Sequence, residues 1–317
     1  MELIRGQYNI RKNQRGCVAT IGNFDGVHLG HQAVIRQLLD KSQKLQLPSV
    51  AMVFEPQPAE FFCRANTSKA NSRVTPPRIS RFREKLRLLE TQKIDKVLCL
   101  RFDQALSQLS GEQFIEEILV NGLGVQHMIV GDDFRYGHKR SGDFALMQSQ
   151  GVKHGFGVTP TNTFLLDNQR VSSTRIRAAL AYAQFDLVET LLGRPYCIAG
   201  KVCYGQQLGR TLGVPTANIG IAGLQPTLKG VYIVELQLNG QWLAGVANIG
   251  TRPTVEGQNP LLEVHLFDFN QTIYGEFVTV RFHQKIRDEE KFNSLPELKT
   301  AMERDLDIGR RYFKPKD

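Results

Sequence analysis

The sequence predicts an α/β protein in two parts: an N-terminal half built on a parallel sheet, and a C-terminal half forming a small antiparallel β-barrel with a terminal helix. Three observations carry this. Up to about residue 184, short apolar runs alternate with helical patterns, as strand–crossover–strand units require. Beyond it, several short strands alternate with period two around an Asn239-Gly240 hairpin signal, the mark of antiparallel pairing. And 317 residues suit two domains of ordinary size.

In chain order, "CVATIG" is the first apolar run, followed by a helix from about His28 to Leu45 and then "SVAMVF". Phe82, Leu86 and Leu89 recur at helical spacing before "KVLCLRF". A third helix is expected from Ser110 to Asn121, opened by a capping box of Ser110 and Gln113. "HMIVG" closes the series as a fourth strand. Residues 64–80, polar and Pro-containing, are expected to form a mobile loop. Composition changes near "LLGRPY", which places one domain at 1–184 and a second at 185–317. The second holds "GVYIVELQL", "QWLAGVANIG", "LLEVHLFDF" and "FVTVRF", then a helix capped by Ser294 and Glu297 with Leu298, Met302 and Leu306 on one face.

Hydrophobic content of 41% and charged content of 22% are those of a globular chain with real cores. No apolar run approaches the ~20 residues of a membrane span, and the polar, basic N-terminus lacks a signal-peptide core, so a cytoplasmic protein without membrane partners is expected. Five scattered cysteines, none spaced C-x-x-C, read as reduced thiols rather than disulfides or zinc ligands. The net charge of +9 suits polyanions, whether nucleic acid or nucleotide phosphates. The arginine cluster between 73 and 87 lacks the interleaved aromatics of a single-strand binder, so nucleic acid is not the expected partner. Oligomeric state is not legible.

"TIGNFDGVHLGHQAVIRQLL", Thr20 to Leu39, sets glycines and two histidines between a strand and an amphipathic helix. A helix N-terminus offers unpaired N–H groups and partial positive charge to phosphate. Gly22, Gly26 and Gly30 admit a close approach, and His28 and His31 on the first turn can stabilise charge on a phosphoryl group. Further on, "VSSTRIR" combines Ser172, Ser173 and Thr174, able to cap a helix and offer hydroxyls to phosphate, with Arg175 and Arg177.

The His28-Leu29-Gly30-His31 segment resembles the HxGH signature of the nucleotidylyltransferases, and "GNFDGVHLGH" resembles their flavin adenylyltransferase branch. "VSSTRIR" is similar to the superfamily's ISSTxIR motif. The resemblance implies a Rossmann-like N-terminal domain in which His28 and His31 are catalytic. It further implies that Gly22, Phe24, Gly30, Ser172, Ser173, Thr174 and Arg177 bind ATP. In "VGDDFRYG" it gives Asp132 and Asp133 the flavin. In "FEPQP" this chain has Gln57 where relatives often carry His.

"GQQLGRTLGVPTANIG" is glycine-rich without the Gly-Lys-Ser/Thr of a P-loop. Thr216 and Asn218 alternate onto one face and present oxygens of the kind Mg²⁺ takes together with substrate phosphates. The stretch resembles the PTAN motif of riboflavin kinases, which implies that Thr216 and Asn218 bind ATP-bound Mg²⁺ and that Gly209, Arg210 and Gly213 form a flap over the phosphates. In "LLEVHLFDF", Leu262, Val264 and Leu266 share one face and Glu263, His265 and Phe267 the other. The kinase resemblance makes Glu263 the catalytic base, expected on the inner side of the barrel. Together the two resemblances span nearly the whole chain and identify it as a member of the prokaryotic FAD synthetase family. They imply riboflavin phosphorylation in the second domain and FMN adenylylation in the first, with ATP as co-substrate of both and riboflavin, FMN and FAD as the other ligands. They leave room for transient contact with flavin-accepting apoproteins.

The two reactions need different equipment. A neutral 5′-hydroxyl attacking the γ-phosphate benefits from a carboxylate that takes its proton. The FMN phosphate, with a second pKa of about 6, is already a nucleophile at neutral pH. It needs positioning and charge stabilisation only.

Overall fold

The computed structural model describes residues 1–65, 75–161, 163–205, 213–221, 224, 227–254 and 257–314. By their contacts the residues form two units, one of Met1–Pro76 with Phe82–Ser172, the other of Pro77–Arg81 with Ser173–Asp317.

The first unit runs β1 (Glu2–Arg5), β2 (Cys17–Ile21), α1 (Leu29–Leu45), β3 (Ser49–Glu55), α2 (Pro58–Ala65), α3 (Phe82–Thr91), β4 (Lys96–Arg101), α4 (Gln104–Gln108) and α5 (Gly111–Phe114). A π-helical stretch, Ile115–Leu123, continues α5 and leads to β5 (Val125–Gly131), α6 (Phe144–His154), β6 (Gly157–Thr161) and a short hairpin of β7 (Leu165–Leu166) and β8 (Gln169–Arg170). Six strands pair in parallel in the order β1-β4-β3-β2-β5-β6. Alternate residues of each strand feed opposite faces. Val50 and Met52 join Phe114, Ile115 and Leu119 in one core, whereas Ala51 and Val53 join Ile35 and Leu89 in another. Buried on both sides, the strands read as unbroken apolar runs.

β1 escapes the sequence pattern because it is four residues long and polar at its ends, yet Ile4 is buried and the strand pairs with β4. The histidine turn therefore follows the second strand, not the first. The capping box expected at Ser110 is present: its hydroxyl accepts the Gln113 N–H, and the Gln113 side chain accepts the Ser110 N–H. The chain leaves β2 toward β3 on one side of the sheet and pairs it with β5 on the other. Ligands in open parallel sheets bind at such a switch point, beyond the carboxyl ends of the strands.

The second unit contains α7 (Ser173–Ala181), α8 (Phe185–Leu192), β9 (Cys197–Cys203), β10 (Ala217–Gly220), β11 (Gly230–Leu238), β12 (Gln241–Thr254), β13 (Gly257–Leu266), β14 (Phe277–Arg287) and α9 (Leu295–Phe313). The six strands close an antiparallel barrel in the order β10-β13-β12-β11-β14-β9. Asn239 and Gly240, both at positive φ (49° and 84°), make the two-residue turn between β11 and β12. Ile198, Ile219, Ala247, Leu262, Val264, Tyr232 and Val280 fill the interior, each almost wholly buried. Phe185 of α8 stacks on Phe282 and meets Tyr232 edge-on. α9 starts as expected, with the Ser294 hydroxyl accepting the Glu297 N–H, although the Glu297 carboxylate returns to the Asn293 N–H rather than to Ser294.

The expected mobile loop at 64–80 needs correction at its C-terminal end, while 66–74 lie outside the described residues. Arg78, Ile79 and Ser80 are buried. The Pro77 carbonyl accepts the Arg177 Nε–H at 2.6 Å, and the Arg81 guanidinium donates to the carbonyls of Ala199 and Gly220. Two carbonyl partners and a buried Ile79 hold this segment against the barrel unit.

Candidate active sites

The turn after β2 is built by backbone that ordinary residues avoid. Phe24, Gly26 and Val27 all have positive φ (47°, 77° and 40°), and Phe24 and Val27 are anchored in the core by burial. His28 is the N-cap of α1, not a first-turn residue, and its Nδ1 accepts the His31 N–H at 3.3 Å. A neutral His28 ring accepting at Nδ1 carries its proton on Nε2. The two imidazoles stack with centroids 3.6 Å apart, and Phe24 closes on His31 at 5.1 Å. Burial, then the charges of His28 and Lys85, holds His31 well below the usual histidine pKa, so it is neutral at pH 7. Its Nδ1 is buried with no hydrogen-bond partner among the described residues. An unmatched imidazole nitrogen at a helix start is equipped for a ligand atom.

Gly30 has a packing reason for its identity. A Cβ there would sit 3.0 Å from the Val171 carbonyl. The first motif thus packs on Val171, the first residue of the second. Ser173, Thr174, Arg175 and Arg177 open α7 and group with the other unit. Gly22 lies against the Phe24 ring and donates to the Met52 carbonyl. Asp132 and Asp133 follow β5, the strand paired with β2, so they share the carboxyl edge of the sheet with the histidine turn. Both are exposed. Asp133 accepts a 2.6 Å ion pair from Arg170 of β8, a hydrogen bond that lowers its pKa. Gln57 caps the start of α2, and its buried amide Nε2 lacks a partner among the described residues.

In the barrel, register decides the site. Glu263 pairs with Asn218 of β10 on one side and with Asn248 of β12 on the other. The row continues through Val231 to Arg287. Glu263 is therefore not on the inner side: Leu262, Val264 and Leu266 point in, and Glu263 and His265 belong to the outward face. It is shielded all the same, because α9 and residues 289–294 roof that row. The cavity beneath, about 620 Å³, has Thr216, Asn248, Glu263 and His265 on its wall and Leu298 and Met302 in its roof. Arg287 fixes the roof by a two-pronged bond to buried Asp305 of α9 at 2.9–3.1 Å, and also reaches the Asp288 carbonyl.

Asn218 is buried, and its Oδ1 has no partner among the described residues. A Cβ on Gly205 would collide with this side chain at 2.2 Å. Among the described residues no group of three or more His, Cys, Asp or Glu forms a metal cage. An orphaned amide oxygen beside a threonine on the cavity wall fits an ion held jointly with substrate phosphates. His265 donates from Nδ1 to the Pro215 carbonyl at 2.8 Å, and burial lowers its pKa. Gly213 has φ 79°; Gly209 and Arg210 lie outside the described residues.

Sequence reading missed Asn248, His265, Lys85 and the Arg287–Asp305 pair as site residues. Lys85 lies within the basic 73–87 stretch, yet it is fully buried. The signal was available, since Phe82, Lys85 and Leu89 fall on one face of a helix. Asn248 had none, because only barrel register joins it to Glu263.

The sequence profile of FAD synthetase matches residues 10–175, and that of riboflavin kinase matches residues 192–313. Proteins described as bifunctional riboflavin kinase/FMN adenylyltransferase are similar over almost the full length. That of Pseudomonas fluorescens is 49% identical over 316 residues, covering 99% of both chains. That of Haemophilus influenzae is 47% identical over 314 residues, again covering 99% of both. That of Escherichia coli K12 is 48% identical over 315 residues, covering 99% of this chain and 98% of the relative. A crystal structure from Streptococcus pneumoniae, described as a macrolide-efflux protein, superposes with TM-score 0.78 at 28% identity, covering 98% of this chain and 99% of its own. No helix among the described residues is long and apolar enough to cross a membrane.

Proposed function

The chain belongs to the bifunctional riboflavin kinase/FMN adenylyltransferase family, and from that premise we propose how its residues divide the two reactions. The chain phosphorylates riboflavin to FMN and adenylylates FMN to FAD, with ATP as substrate of both steps. We put the division of labour between residues 184 and 185, inside the interval that the family matches, ending at 175 and beginning at 192, leave open.

In the barrel cavity, Glu263 accepts the proton of the riboflavin 5′-hydroxyl as that oxygen attacks the γ-phosphorus. Asn248 flanks the carboxylate and is suited to orient the ribityl chain. Thr216 and Asn218 would hold Mg²⁺ with the ATP phosphates, and the ion would supply charge neutralisation there. Gly209, Arg210 and Gly213 form the flap.

At the histidine turn the FMN phosphate attacks the α-phosphorus of ATP and pyrophosphate leaves. His28 Nε2–H and His31 donate to the oxygens that gain charge, alongside the N–H groups at the start of α1. Gly22, Phe24, Gly30, Ser172, Ser173, Thr174 and Arg177 bind the ATP, and Asp132 and Asp133 the flavin. A neutral His31 fits this role, since adenylylation needs donors and no base. Cytoplasmic location and a small-molecule clientele without nucleic acid or membrane complete the reading.

The observation that carries it is the row Asn218–Glu263–Asn248, of which Glu263 and Asn248 line the cavity, a carboxylate between two amides with the unmatched Asn218 oxygen beside it. The test is chromatography of flavins after incubation with riboflavin, ATP and Mg²⁺, with pyrophosphate followed in parallel. FMN should appear first, and pyrophosphate only with FAD. FMN alone would remove the adenylylation role from the histidine turn, and FAD from supplied FMN alone would remove the kinase role from the barrel.

A further inference from the structure

Taking the kinase assignment of the barrel cavity as given, we propose that His265 is a positioning residue for phosphoryl transfer, holding the segment that carries Thr216 in place beside Asn218 and Glu263. β13 alternation sets His265 two residues beyond Glu263 on the same outward face, and both line the cavity that Thr216 lines. The β10–β13 ladder ends at the pair Ala217–Val264. The next step of that register sets Thr216 beside His265, where no strand is formed. Pro215 has no N–H to continue the ladder. Its carbonyl is instead taken by His265 Nδ1 at 2.8 Å. A carbonyl only accepts, so the proton is on Nδ1. The bond fixes the Pro215–Thr216 peptide plane, and with it the direction in which the Thr216 hydroxyl leaves the backbone. His265 is itself held, its ring edge-on to Phe267 at 6.1 Å, with Phe267 covered by the Arg310 guanidinium at 4.8 Å. A packed imidazole thus substitutes for a missing backbone bond at the mouth of the metal-binding strand.

The test compares His265→Asn, His265→Gln and His265→Ala in the full chain. Asparagine places an amide N–H where Nδ1 stands, whereas glutamine places one where Nε2 stands. The readout is the broadening by Mn²⁺·ADP of the ribityl proton resonances of bound riboflavin, which reports metal at the kinase site, with riboflavin affinity measured by fluorescence. Alanine and glutamine should weaken the Mn²⁺·ADP effect about tenfold, what one net hydrogen bond is worth, with riboflavin affinity within about twofold. Asparagine should restore most of it. The KM for Mg·ATP should rise in the same order, with kcat changed less. Unaltered Mn²⁺·ADP binding in the alanine and glutamine variants, or equal weakening in all three, would overturn the proposal. Thr216→Ala run alongside separates the levels: if it too leaves the broadening unchanged, the metal assignment of the barrel site falls and His265 falls with it.

Discussion

On the proposed reading the histidine turn and the barrel row both hold ATP phosphates, and they are built in opposite ways. The turn is a continuous stretch whose geometry is fixed by backbone: three positive-φ residues within four positions, an N-cap, and two stacked rings 3.6 Å apart. The barrel row has no continuity. Asn218, Glu263, Asn248 and Arg287 come from four strands and meet only because the register of a closed barrel aligns them. A reaction whose nucleophile is already ionised can be served by a local turn that offers donors. A reaction that must also take a proton needs a carboxylate, and a carboxylate under a roof needs neighbours to hold it.

The sharpest way to break this contrast is to disarm one site and read both reactions. His28→Ala with His31→Ala removes two donors, each worth ~10²–10³ in rate at such sites. FAD formation should fall by about 10⁴-fold while FMN formation stays near wild type, followed by chromatography with riboflavin and with FMN as substrate. Equal loss of both activities in a folded protein would mean that the two sites are not independent. Next in size, Glu263→Gln keeps the shape of the row but removes the proton acceptor. FMN formation should drop ~10²–10⁴-fold with adenylylation of supplied FMN intact. Unchanged turnover would leave positioning and metal as the whole of kinase catalysis.

Two glycines sharpen the contrast at lower amplitude. A methyl at Gly205 meets the Asn218 side chain at 2.2 Å, and a methyl at Gly30 meets the Val171 carbonyl at 3.0 Å. Overpacking of this kind costs about 1–3 kcal/mol. Gly205→Ala should raise the Mg·ATP KM of the kinase step roughly tenfold or more by displacing the Asn218 amide. Gly30→Ala, with the larger gap, should affect only adenylylation and by a smaller factor. Steady-state kinetics of the separate steps reads both, and crossed effects would contradict the assignment.

The contrast also explains what was legible in the sequence. The turn could be read because its chemistry is contiguous, as could the Ser110 cap and the Asn239-Gly240 hairpin, whose signals span two to four residues. β1, with one fully buried side chain, and the β7–β8 hairpin, two residues a strand, offer no period to detect. Residues 77–80 look like loop by their prolines, yet Ile79 and Ser80 are buried, and nothing local announces that. The outward placement of Glu263 was unreadable for a different reason. α9 covers the outer row, so both faces of β13 are shielded and alternation alone does not say which is the interior.

The smallest expected effect separates the turn from its own scaffold through pH. His127 of β5 is buried beside Thr159, with its ring over Gly157. Burial first, and then the charge of Lys41, lowers its pKa from 6.5 to about 4. Because the folded pKa is depressed, the unfolded chain binds a proton that the folded chain refuses between these values. Stability is full above pH 6.5 and is lost as pH falls toward about 4, below which the loss levels off. For this one group the loss reaches about 2 kcal/mol by pH 5. His31, also depressed by burial, adds a loss of the same sign. His127→Gln retains an amide for the Thr159 hydroxyl but does not titrate. Thermal unfolding between pH 7 and pH 5 should therefore show a shallower decline than wild type, by a few degrees at the acid end, with FAD formation at pH 7 preserved. Parallel declines would mean that His127 takes up a proton as readily in the folded protein as in the unfolded chain.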